Sequence, residues 1–87
     1  MIPTYHLLNF DTATAGTVYR LYVLIEPSNY RTKTYLMEKE LTSSGVTTRT
    51  YFESNEGVES IADAWTARAA KTYVAAYDFK GVFANNF

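Results

Sequence analysis

The sequence contains no cysteine. That removes disulfides, thiolate nucleophiles, cysteine-held zinc and iron–sulfur clusters at once, so the fold must hold by packing alone. His6 is the single histidine and therefore the only imidazole base, shuttle or ligand on offer. The four glycines, at 16, 45, 57 and 81, are scattered, and none forms a phosphate-cradling loop. Positive charge is also in short supply. Eight Lys and Arg face nine Asp and Glu, a formal net charge of −1, which leaves no global excess to attract phosphate. No stretch approaches about 18 apolar residues, and no Lys or Arg precedes the apolar start, so neither a membrane span nor a secretory signal is expected. A cytoplasmic setting follows as the expectation. With 87 residues, one small domain over 1–87 is expected, too small for a deep cleft between two domains.

Aromatic side chains are what the sequence has in excess: eight Tyr, five Phe and one Trp. Either they make a small core sufficient or they face a partner. Alternation begins to sort them. In Thr17 to Glu26, Tyr19, Leu21, Val23 and Ile25 share one parity, and Val18, Arg20, Tyr22, Leu24 and Glu26 share the other, which gives a strand with one dry and one mixed face. Runs at about 2–10, 33–41 and 46–54 read as further strands, with Pro27-Ser28-Asn29 as a break and Thr42-Ser43-Ser44-Gly45 as a hairpin loop. A four-residue loop pairs Leu41 with Val46, Glu38 with Arg49 and Leu36 with Tyr51, and avoids setting Lys39 against Arg49.

Beyond Asn55 the apolar period becomes helical. Val58, Ile61, Ala62, Trp65, Ala69, Thr72, Tyr73 and Ala76 form one stripe, predicting a helix over about 56–77 capped by Ser54 or Asn55, with an apolar tail over 79–87. The expected fold is α+β: a three- or four-stranded antiparallel sheet packed on one long C-terminal helix. Its core joins Trp65 and Tyr73 to Tyr19, Leu21, Val23, Tyr35, Met37 and Phe52.

Catalytic groupings are sparse. His6 has no nucleophile elbow to serve and no second metal ligand at a recognisable spacing. Glu38 and Glu40 share a strand face with carboxylates about 6–7 Å apart, a separation used in glycoside hydrolysis, but a neighbouring arginine would keep such a pair ionised. No enzyme, metal or cofactor is expected.

The mixed face is the candidate site. It carries Arg20, Tyr22, Leu24, Leu36, Glu38, Arg49 and Tyr51, with the loop residues Tyr30 and Arg31 at its rim. A face this apolar needs a cover, and Tyr with Arg is the composition of binding hot spots. The cover is the tail from Phe79, the N-terminal strand, a second copy in a homodimer, or a different macromolecule. The expected function is a small non-catalytic protein-binding module. The alternative is single-stranded nucleic-acid binding on an aromatic sheet face, with Arg20, Arg31, Lys33 and Arg49 meeting phosphates.

In its size, acidity, lack of cysteine and sheet-plus-helix outline, the chain resembles the small phage-encoded inhibitors, anti-CRISPR proteins among them. That resemblance implies host–virus interaction: a phage- or mobile-element-encoded inhibitor that blocks a host nuclease or defence complex in the host cytoplasm by covering its surface.

Overall fold

In the computed structural model, residues 4–25 and 34–79 are described. The expected break at 27–29, the rim residues Tyr30 and Arg31, and the tail beyond Phe79 lie outside the described residues. Five strands form one antiparallel sheet in sequence order: β1 (Thr4–Asp11), β2 (Thr17–Ile25), β3 (Thr34–Ser43), β4 (Val46–Asn55) and the short β5 (Val74–Ala75). Among the described residues one helix, α1 (Ile61–Thr66), and two 3-10 turns, Arg68–Ala70 and Ala76–Asp78, accompany the sheet.

Alternation places each strand's side chains. On one face Leu21, Tyr35 and Met37 are buried with Ala64 of α1, and Phe52, Ile61, Trp65 and Tyr73 pack around them. On the other, Leu36 and Tyr51 are buried with Phe79, flanked by Tyr22 and Leu24. β3 is thus buried on both faces through four consecutive residues, Tyr35 to Glu38.

The expected long helix is overturned, and with it the α+β class: the fold is a mainly antiparallel β structure with a helix of six residues. β4 extends to Asn55, and Ser60 is the cap, its hydroxyl accepting from the Asp63 amide at 3.1 Å. At the end of the helix and past it, carbonyls left without a helical amide are satisfied by side chains. Arg68 Nη1 donates to the Trp65 carbonyl at 2.7 Å, and the Tyr73 hydroxyl donates to the Arg68 carbonyl at 2.8 Å. Thr72-Tyr73-Val74 adds three residues of low helix propensity in a row. Lys71 is already extended, at φ −76° and ψ 155°, and the chain pairs with the free edge of β4 instead, setting Ala75 against Thr50 and Val74 against Tyr51. Most of the predicted stripe buries little: Val58, Ala62 and Ala69 are exposed.

The β3–β4 register is also corrected. The loop has two residues, so that Ser43 faces Val46, Glu40 faces Arg49, Glu38 faces Tyr51 and Leu36 faces Glu53. Ser44 (φ 52°) and Gly45 (φ 78°) are both left-handed, as a two-residue hairpin of the kind that matches strand twist requires. The shift relative to the four-residue closure is two residues, an even number, so every side chain keeps its face. The Thr42 and Thr47 hydroxyls then meet at 2.9 Å.

Through β5 and the turn after it, the C-terminal segment crosses the β4 edge from one face to the other. Tyr73 packs against Phe52, with ring centroids 6.3 Å apart, whereas Phe79 packs on the opposite face against Tyr51, at 6.0 Å. Phe79→Ala is expected to cost about 3 kcal/mol in chemical denaturation, the low end for a buried phenylalanine, against less than about 0.5 kcal/mol for Tyr77→Ala at a highly exposed position. Equal effects of the two would contradict this packing.

Candidate functional site

The mixed face is ordered in cross-strand rows. Phe10, Arg20, Glu38 and Tyr51 form one, and Leu7, Tyr22, Leu36 and Glu53 the next. Carboxylates and arginines lace the hairpin end of this face. Arg20 Nη1 donates to Glu38 Oε1 at 2.8 Å and to Glu40 Oε1 at 3.0 Å, and Arg49 Nε reaches the same Glu40 oxygen at 3.1 Å. One guanidinium therefore bridges both glutamates. It holds the Glu40 carboxyl below its usual range, chiefly through this hydrogen bond. Both carboxylates are thus tied to one cation within the molecule, rather than standing open on either side of a sugar-sized groove as an acid/base pair for glycoside hydrolysis must. Burial, followed by the neighbouring Glu38 carboxylate, pushes the Tyr51 phenol up.

The nine sequence-predicted residues separate into distinct environments. Leu36, Glu38 and Tyr51 are buried, with Phe79 lying on Leu36 and Tyr51. Tyr22 and Leu24 are half-buried beside them. Arg20 is partly exposed and tied to two carboxylates, whereas the Arg49 side chain is 55% exposed. Arg49 stands opposite Glu40 rather than Glu38. Tyr30 and Arg31 lie outside the described residues. The cover over the centre of this face comes, among the described residues, from the chain's own Phe79. A nucleic-acid reading fits this arrangement poorly, because Arg20 and Arg49 already face carboxylates and Tyr51, its stacking platform, lies beneath another ring.

What the sequence reasoning missed is on β1. Leu7, Leu8 and Phe10 are exposed, Phe10 by 61%, on what is, among the described residues, the outermost strand of the sheet. The register shifts between Leu7 and Asn9, which marks a bulge at Leu8. Strict alternation would put Leu7 and Phe10, three apart, on opposite faces. The extra residue brings both to the mixed face, opposite Tyr22 and Arg20. No pattern of apolar residues announces a bulge, so parity alone does not find this pair.

The opposite face is held by a cation. Arg68 lies 4.5 Å from the Trp65 ring centroid and 5.7 Å from that of Tyr19, while Nη2 and Nε donate to Asp11 Oδ2 at 2.6 and 3.2 Å. The Asp11 carboxyl is held low first by the Ala13 amide and then by this guanidinium. Burial pushes the Tyr73 phenol far up. His6 is exposed, and no group of three or more His, Asp or Glu among the described residues is placed to hold a metal ion. No helix among the described residues is long and apolar enough to cross a membrane.

Glu40 and Asp11 both have lowered pKa values in the folded chain, so their stabilisation is complete above the ordinary carboxylate range and is lost as pH falls through the folded values. Stability is expected to hold from pH 7 down to about 5 and to decline below it. Glu40→Gln should make that decline shallower in acid titrations followed by denaturant unfolding. Parallel acid profiles for the two proteins would remove Glu40 from the account. Comparison of the chain with protein-family models, with curated proteins and with solved structures finds no match.

Proposed function

We propose that the chain is a non-catalytic protein-binding module whose contact surface is the β1 edge together with the adjoining part of the mixed face. The exposure of Leu7, Leu8 and Phe10 on an eight-residue outer strand carries this reading. An outermost strand offers backbone donors and acceptors in a row, and proteins ordinarily guard such edges with charge, proline or a cover. Here β1 carries a bulge at Leu8 and a charge only at its Asp11 end among its described side chains, and apolar side chains flank the bulge. An extended segment of a partner fits that edge by strand addition, with its apolar side chains meeting Leu7 and Phe10.

Tyr22 and Leu24 continue the apolar surface inward, and Arg20 borders it. Glu38 and Glu40 are engaged within the molecule, so the contact is apolar at its centre and does not rest on those carboxylates. In its concrete form the module is an inhibitor that blocks a larger host complex by covering its surface, the setting implied by the small size, acidity and lack of cysteine it shares with small phage-encoded inhibitors.

A photo-cross-linking phenylalanine analogue in place of Phe10 tests the surface in extract of the source cell. A cross-link to a different protein is expected, with a lower yield when Leu7→Ser is added and none when the analogue replaces the exposed Tyr77. A product of only twice the chain mass would make β1 a self-pairing edge and overturn the partner reading. Equal capture from positions 10 and 77 would overturn the surface.

A further inference from the structure

On the helix-side face, towards the β3–β4 hairpin, a cavity of about 260 Å³ is lined by Lys39, Leu41, Thr48, Thr50, Lys71 and Tyr73. Two cross-strand pairs build its floor: Lys39 faces Thr50, and Leu41 faces Thr48. Tyr73 and Lys71, on the segment that leaves the 3-10 turn, close its side.

Its charge sets it apart from the rest of the described surface. Arg20, Arg49, Arg68 and Lys71 all sit on carboxylates, and Lys71 does so through Glu59. Lys39 is the remaining cation among the described residues and has no carboxylate partner there. Its ammonium lies 5.9 Å from the Tyr73 ring centroid, at the cavity wall. The Thr48 hydroxyl has no protein partner among the described residues, and that of Thr50 makes only a long contact of 3.4 Å to the Lys39 carbonyl. The site therefore offers one uncompensated positive charge, two hydroxyl donors, and apolar surface from Leu41 and the Tyr73 ring.

We propose that this cavity binds a small organic oxyanion, a carboxylate or phosphate head on Lys39 and the threonine hydroxyls with an apolar or aromatic body against Leu41 and Tyr73. The volume is below the roughly 300–1,000 Å³ of sites for drug-sized ligands, which restricts the ligand to a fragment of that size class. This site lies on the face opposite Leu7 and Phe10 and does not depend on the binding role proposed for β1.

Amide-resolved NMR titrations of the full chain with benzoate, phenyl phosphate, acetate and inorganic phosphate test it. Saturable shifts centred on Thr48, Thr50 and Tyr73 are expected with benzoate or phenyl phosphate, and whichever saturates at lower concentration identifies the head group. Acetate and inorganic phosphate, lacking the body, should bind more weakly. Lys39→Gln should weaken binding about tenfold or more, as loss of a charged hydrogen-bond partner does. Thr48→Asp, at an exposed position, should abolish it by placing a negative charge in the cavity. Shifts that fail to saturate, that spread evenly over the surface, or that survive both substitutions would overturn the proposal.

Discussion

Strand β3 has to be covered twice. Tyr35 and Met37 point to one face, Leu36 and Glu38 to the other, and all four are buried. The sheet alone covers neither face, so the chain after β4 must supply material to both. A continuous helix over 56–77 would be about 33 Å of cylinder on a single face and would leave Leu36 and Tyr51 in water. The observed path divides the task. α1 and Tyr73 close one side, β5 carries the chain along the β4 edge, and Phe79 closes the other. Glu38 fits the same constraint, since a buried carboxylate requires a partner and Arg20 provides one.

Charge is distributed around this arrangement in a way that bears on function. Arg68 joins β1 to the helix layer through Asp11 and stacks near Trp65 and Tyr19, so part of the aromatic surplus serves as a platform for a cation within the molecule. Arg20 and Arg49 are drawn into the glutamate ladder on the other face. Little of the positive charge on these strands is left to face outward. What does face outward is the apolar edge of β1 and, separately, the cavity at Lys39. A protein partner along the edge and a small oxyanion in the cavity are the chemistries those two features match.

Parity was the most legible property of the sequence. The alternation of Tyr19, Leu21 and Val23 against Arg20, Tyr22 and Leu24 is the alternation of the two faces, and it survives the hairpin correction because the register moved by two. The helix was not legible, because five of the eight positions in the 3.6-residue stripe, Val58, Ala62, Ala69, Thr72 and Ala76, are exposed and add little burial, while the side chains of Arg68 and Tyr73 satisfy carbonyls at and beyond the end of α1. The hairpin closure turned on whether Ser44 would enter the left-handed region, which serine tolerates only at a cost. At the candidate surface, Arg20, Tyr22 and Leu24 were found by parity, but Leu7 and Phe10 depend on a bulge and Phe79 on a chain crossing. Both are tertiary solutions with no periodic signature.

The claim that the C-terminal segment straddles the sheet is tested most directly by NMR of the full chain. Backbone shifts should be helical over 61–66 and extended at Val74 and Ala75, and the Phe79 and Tyr51 rings, with centroids 6.0 Å apart, should give a cross-relaxation peak. Helical shifts running unbroken from Glu56 to Tyr77, with no contact between those two rings, would contradict it.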